Sequence, residues 1–224
     1  MTDIPVLTID GPSGSGKGTV GRTVARKLGW HFLDSGALYR VLGTAAQRRG
    51  IASDQIPELV ALAENLDLSF KQGKVWFEGG DVSDEIRTEE CGNAASKVAA
   101  VPEVRRALLD WQRAYAREPG LIADGRDMGS VVFPDAQVKI FLTASSEERA
   151  LRRYNQLKGK GIDVSLANLT SEIEERDRRD RTRSVSPLQA PAAALEVDST
   201  AYSISEVLEK VILKVRETFP KLDV

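Results

Sequence analysis

Residues 9–19 read Ile9-Asp10-Gly11-Pro12-Ser13-Gly14-Ser15-Gly16-Lys17-Gly18-Thr19 and lie directly behind the apolar run Val6-Leu7-Thr8-Ile9. That run reads as a buried strand, Pro5 to Asp10, and the segment after the glycines as a helix from Lys17 to Leu28, stopped at Gly29. A glycine-rich turn between strand and helix aims backbone N–H groups inward. The helix N-terminus adds partial positive charge, and a lysine at its start reaches the outer phosphates. Glycines that merely made a tight turn would leave Lys17 unexplained. The whole loop, Gly11, Pro12, Ser13, Gly14, Ser15, Gly16, Lys17, Gly18 and Thr19, therefore reads as a nucleotide-phosphate cradle.

Working outward, strand and helix keep alternating. Trp30 to Leu33 is a second strand, leading through Asp34-Ser35-Gly36 into a helical pattern that ends near Gly50, with Leu38, Val41, Leu42 and Ala45 on one stripe. Leu121 to Ala123, Val138 to Leu142 and Ala194 to Val197 are three further short strands. The helices after the last two open with Ser145 three residues before Glu148 and Ser203 three before Glu206, a capping-box spacing. This predicts an α/β fold, a five-stranded parallel sheet flanked by helices. Two stretches interrupt it. Leu66 to Arg87 alternates apolar and polar residues around Lys71-Gln72-Gly73, a hairpin signature, and Lys158 to Arg183 is polar and charge-dense, a helical lid. The chain length suits a single domain: a core of about 1–60, 100–150 and 190–224, an acceptor-binding insert of about 61–100, and a lid of about 155–185.

Thirty-one basic against 33 acidic side chains leave a net charge of −2, so no global field points to nucleic acid or a membrane. Between Arg149 and Arg183 ten Lys or Arg face six Asp or Glu; the interspersed acids and few aromatics argue against an RNA-binding arm. A lone cysteine, Cys91, forms no internal disulfide and fits a reducing cytoplasm. No signal-peptide pattern or membrane-length apolar run is present, and no sustained apolar surface stripe calls for a second copy, so a soluble cytoplasmic monomer is expected.

The strict phosphate-loop pattern places Ser or Thr after the lysine as a magnesium ligand. Here Gly18 takes that place and the hydroxyl comes one later, on Thr19, so the metal is held less directly. GPSGSGKGT resembles the loop of nucleoside monophosphate kinases such as adenylate kinase more than that of regulatory GTPases. A guanine switch also lacks its base motif, since none of Asn65, Asn93, Asn155 or Asn168 is followed by lysine. An acceptor pocket belongs outside the carboxyl ends of neighbouring strands. Ser35 and Arg40 follow strand two there as phosphate ligands. Asp124 and Arg126 follow strand three, Asp124 placed to hold water around Mg2+ and Arg126 to add a guanidinium.

In this order, GPSGSGKGT, DSGALYR, NAASKVA (Asn93 to Ala99), IADGRDMGSVVFPDA (Ile122 to Ala136) and ERDRRDR (Glu175 to Arg181) together resemble the bacterial cytidylate kinases across nearly the whole chain. The resemblance implies in-line γ-phosphoryl transfer from MgATP to CMP, and to dCMP, with no partner beyond these nucleotides. It implies that Asp127 accepts from the amino group of cytosine while Ser96 and Arg105 donate to the ring acceptors. Uracil would face Asp127 lone pair to lone pair. Arg176 and Asp180 fall to the ribose and phosphate of the acceptor and Arg183 to the phosphates, so that Lys17, Arg126, Arg176 and Arg183 form the catalytic cations. Arg149, Arg152 and Arg153 are candidates to stack on the donor adenine. Without the resemblance, Arg105 and Ser96 read as solvated helix positions, like Arg106, Arg113 and Arg117, and the charged helix as an exposed salt-bridged one. The alternatives are a kinase of another small acceptor such as UMP and, behind it, a nucleotide-dependent switch.

Overall fold

The computed structural model describes residues 4–71 and 73–222. The chain divides into two compact units: the stretch up to Phe32 together with that from Ala116 on, and Leu33–Tyr115 between them. The main sheet runs β2-β6-β1-β7-β8, with β1 (Val6–Asp10) at its centre. Every residue of β1 is buried, as a strand covered on both faces requires. Helix α1 (Lys17–Leu28) leaves the loop and ends where Gly29 takes a left-handed φ of 67°, as its sequence predicts. Strand β2 (His31–Asp34) begins one residue later than expected and keeps His31 half-buried, its Nε2 2.9 Å from the Glu118 carbonyl.

In the second unit, α2 (Ser35–Arg48) turns the predicted stripe of Leu38, Val41, Leu42 and Ala45 into a core with α3 (Ile56–Glu64). The expected hairpin is present as β3 (Leu68–Lys71) and β4 (Lys74–Phe77), antiparallel, extended by a two-residue β5 (Gly80–Asp81). Behind it come α4 (Glu89–Val98) and α5 (Pro102–Arg113). Gly43 decides how α2 meets α4, because a Cβ there would lie 3.0 Å from both the Ala94 carbonyl carbon and its Cβ. The two helices pack as closely as they do only without that side chain.

The first unit resumes with β6 (Leu121–Gly125), fully buried and parallel to β1, with Ile9 opposite Asp124 and Asp10 opposite Gly125. The loops leaving β1 and β6 therefore emerge side by side. After β6, Met128–Val132 forms one π-helical turn. Strand β7 (Val138–Thr143) pairs with β1, and α6 (Ser146–Lys158) and α7 (Leu166–Thr182) form the charge-rich hairpin, joined by a small core of Ala150, Leu169 and Ile173. Strand β8 (Leu195–Asp198) and α8 (Ile204–Thr218) complete the layer, α8 burying Val207, Val211 and Val215 against the sheet. Both predicted serine caps are present: Ser145 accepts from the Glu148 N–H, and Ser203 and Glu206 form a full reciprocal box.

Candidate active site

The loop between β1 and α1 takes backbone that only glycine adopts easily. Gly11, Gly14 and Gly16 have φ of 146°, 78° and 97°, and a Cβ on Gly11 would come 1.9 Å from the Leu142 carbonyl oxygen. Two of its carbonyls are held from other elements. Arg149 Nη1 donates to Ser13 O at 3.0 Å, and the buried Ser199 hydroxyl lies 3.2 Å from Ser15 O. In a trans peptide the N–H points opposite to the C=O, so the amides of Gly14 and Gly16 are turned away from Arg149 and Ser199. Lys17 is buried beneath it, Nζ donating to Pro12 O at 2.7 Å. Burial pulls the Lys17 ammonium down to about 7, with Arg126 adding to the shift and Asp124 and Asp10 opposing it. Negative charge placed beside this ammonium would favour its protonated form and oppose the effect of burial.

The departure at Gly18 has a steric reason. A Cβ there would stand 3.3 Å from Asp124 Oδ2 and 2.8 Å from Arg22 Nη2, so glycine lets the Asp124 carboxylate approach the first turn of α1. Among the described residues no three His, Cys, Asp or Glu could enclose a metal by themselves. One carboxylate beside a phosphate cradle fits Mg2+, which keeps most of its waters and leans on phosphate oxygens; Thr19, one residue beyond Gly18, is exposed.

Beyond β6, Arg126 Nε donates to Asp180 Oδ2 at 3.0 Å, joining this turn to α7. Burial pushes the Asp180 carboxyl up, but Arg126, Arg176 and Arg183 outweigh it and hold it below the usual carboxylate range. Arg176 Nη1 reaches Ser13 Oγ at 3.4 Å, and Arg183 Nε donates to Ser186 O. Lys17, Arg126, Arg176 and Arg183, predicted from three separate stretches, thus belong to one electrostatic cluster around Asp124 and Asp180. Asp127, buried, occupies the position before the π-helical turn.

In the second unit Ser35 is the first residue of α2, buried behind Asp34, whose carboxylate caps the helix by accepting from Ala37 N–H at 2.9 Å. Arg40 Nη1 donates to Ile86 O at 2.7 Å and Thr88 O at 2.9 Å, which fixes its stem beside α4. Ser96 is buried on α4. Arg105 corrects the solvated reading of its helix: it is 8% exposed, donates to Ala99 O at 3.1 Å and lies 5.6 Å over the Tyr39 ring. Arg106, Arg113 and Arg117 are exposed as expected, although α5 ends at Arg113.

Arg149 is a second correction. It is 2% exposed, and its guanidinium is taken up by Ala144 O, Ser13 O and both oxygens of Asp177, the last at 2.5 Å, so no open face remains for an adenine. Arg152 binds Glu148 and Ser199. Asp177, Ser199 and Asp10 are the residues that sequence reasoning passed over. Asp177 carried a faint signal, standing on the row of α7 next to Arg176 and Asp180.

Residues 7–217 match the family model described as cytidylate kinase. The cytidylate kinase of Methylococcus capsulatus is 61% identical over 92% of this chain and 94% of its own, and that of Aeromonas salmonicida 62% identical over 93% and 92%. Among solved structures, an uncharacterized protein from Eubacterium ventriosum aligns at a TM-score of 0.52 and 10% identity, over 95% of this chain and 98% of that one, a likeness of fold alone.

Proposed function

This chain belongs to the cytidylate kinase family, and on that premise we propose how its residues divide the work of phosphorylating CMP. The enzyme is a phosphotransferase with a phosphate as acceptor. ATP is the donor we assign to residues 11–19, CMP and dCMP are the acceptors, and the products are ADP and the cytidine diphosphate. One acceptor phosphate oxygen bonds to the γ-phosphorus as the bond to the β,γ-bridging oxygen breaks. The nucleophile arrives largely ionised, so no side chain need act as a base. Mg2+, held by Asp124 through water and by Thr19, would neutralise charge on the phosphates.

The observation that carries this reading is the convergence of Lys17, Arg126, Arg176 and Arg183 on one electrostatic cluster beside the glycine loop. Transfer of a phosphoryl group asks for positioning and charge neutralisation. We assign Lys17 to the β- and γ-phosphates of the donor, Arg126 and Arg183 to the group in flight and the acceptor phosphate, and Arg176 with Asp180 to the acceptor ribose and phosphate. Ser35 and Arg40 are further acceptor-phosphate ligands, and Ser96 and Arg105 hold the pyrimidine with Asp127. We also read the protein as a cytoplasmic monomer, on its near-neutral charge and single buried cysteine.

Specificity tests the base assignment. A coupled ADP-release assay over CMP, dCMP, UMP, AMP and GMP should favour the cytosine nucleotides. Asp127→Asn, which offers an amide N–H to the uracil oxygen, should reduce the CMP-over-UMP ratio of kcat/KM by about 1 to 3 kcal/mol, roughly 5- to 150-fold. Equal rates for CMP and UMP in the native enzyme would remove Asp127 from base reading, and ATP hydrolysis indifferent to every acceptor would restore the switch.

The lysine supplies a pH test. Burial draws the Lys17 ammonium down to about 7, and a triphosphate beside it would push it back up, so ATP binding should take up a proton above that point. The Kd for ATP should rise with pH from about 7 upward, by at most about tenfold per unit. Calorimetry in buffers of different ionisation enthalpy should register the uptake, and release of protons at pH 8 would contradict it.

A further inference from the structure

Asp10 closes β1, has no exposed surface, and has no part in the steps above. Each of its oxygens accepts one backbone N–H, Oδ1 from Met128 and Oδ2 from Gly129, both at 2.8 Å. These are the first two amides of the π-helical turn, and Asp127 stands immediately before them with φ −147° and ψ 24°. The Asp127 carbonyl is held from the other side, accepting from the N–H groups of Val131 and Val132. The peptide joining Asp127 to Met128 is therefore gripped at both ends, and its plane sets the direction in which the Asp127 side chain leaves the backbone.

Gly129 shows that this grip is built tightly. A Cβ there would lie 2.7 Å from Thr8 Oγ1, two residues before Asp10 on the same face of β1, and 3.1 Å from Pro191 Cγ. The turn lies close against β1 because residue 129 has no side chain, and only there can both amides meet one carboxylate. The arrangement is costly to keep. Burial drives the Asp10 carboxyl up to about 7, against the pull of the Gly129 and Met128 amides and of Lys17, while nearby Asp127 raises it further. A neutral cap would satisfy amides at lower cost, so a carboxylate retained here implies a demand on geometry.

We propose that Asp10 is a positioning residue for substrate choice: through the amides of Met128 and Gly129 it aims Asp127 at the pyrimidine. The inference rests on the reading of Asp127 as the group that recognises cytosine. The measurement is the ratio of kcat/KM for CMP over UMP in Asp10→Asn, Asp127→Asn and the double variant, with thermal melting alongside. Asp10 also acts electrostatically on Lys17, but both acceptors share one donor, so any effect through Lys17 cancels in the ratio. Because misplacement of a recognition group by about 1 Å can cost about 10²-fold, Asp10→Asn should lower the ratio about tenfold, and the double variant should discriminate no worse than Asp127→Asn alone. Gly129→Ala perturbs the same amide while keeping the carboxylate, and serves if Asp10→Asn does not fold; it should lower the ratio in the same direction. A ratio that falls in Asp127→Asn but stays native in Asp10→Asn and Gly129→Ala, whatever their melting temperatures, would make Asp10 structural only. A ratio unmoved by Asp127→Asn would instead overturn the base reading itself, and the two failures are told apart by that variant.

Discussion

Lys17→Met should lower kcat/KM by about 10³-fold and make the protein more stable. The first half follows from removing a preorganised cation from the phosphates, a loss of the size seen when one such donor is deleted. The second follows from burial: Lys17 is 5% exposed and its ammonium is pulled down to about 7 from its ordinary value. A group whose folded-state value is depressed in this way binds fewer protons folded than unfolded between about pH 7 and 10, so stability of the native enzyme rises across that window. At or below pH 7 the full desolvation cost is carried, and methionine, of similar length, removes it. We expect a gain of about 1 to 2 kcal/mol, or roughly 2 to 8 °C in Tm, largest near pH 7 and shrinking toward pH 10. The gain is smaller than the shift alone would suggest, because the bond to Pro12 O and the attraction of Asp10 and Asp124 are lost with the charge. Loss of activity with no gain in Tm would sink the desolvation argument and leave the catalytic one intact.

Arg149→Met should act in the opposite sense on stability. It strands the Asp177 carboxylate, itself 6% exposed, and frees the carbonyls of Ser13 and Ala144. Breaking one side of a buried ion pair costs about 3 to 5 kcal/mol, on the order of 10 °C in a chain of this size. Replacing both partners, Arg149→Met with Asp177→Leu, removes the stranded charge and should recover more than half of the loss. Turnover should not recover with it, because the Ser13 carbonyl is still unheld and the amide of Gly14 is no longer oriented by it. Denaturant melts read the first quantity and the ADP-release assay the second. Recovery of both in the double variant would show that the arginine supports only the fold.

These two residues mark where sequence reading succeeded and where it stopped. The loop, its lysine, the stop at Gly29 and the serine caps were legible because each is a local matter, decided within a few residues by backbone freedom or a short side chain. The stripe on α2 was legible because helical periodicity reports which face is buried. The hairpin was legible from its alternation, although the short β5 lacks enough residues to alternate. Arg149 is, with Arg152 and Arg153, one of three candidate adenine platforms in the sequence; the partner that buries it, Asp177, lies 28 residues away. Arg105 was read as solvated, and only family resemblance separated it from Arg106 beside it. Asp10 looked like the end of a strand, since nothing local announces amides 118 and 119 residues later in the chain. Periodicity identifies a face; it does not identify what that face meets.

Ser199 carries a consequence for the order of events when the chain is made. Its N–H bonds to Thr143 O at 2.8 Å, its hydroxyl lies against the Ser15 carbonyl, and Arg152 grips both its hydroxyl and its carbonyl. One hold on the phosphate cradle is thus supplied from 184 residues downstream, so the cradle is finished only after most of this stretch has been made. A nascent chain that has reached only the end of α7 already displays the complete glycine motif, and the arginine that holds Ser13 O, yet lacks the hydroxyl that holds Ser15 O. The second hold on the loop's carbonyls therefore arrives only with the residue that follows the final strand.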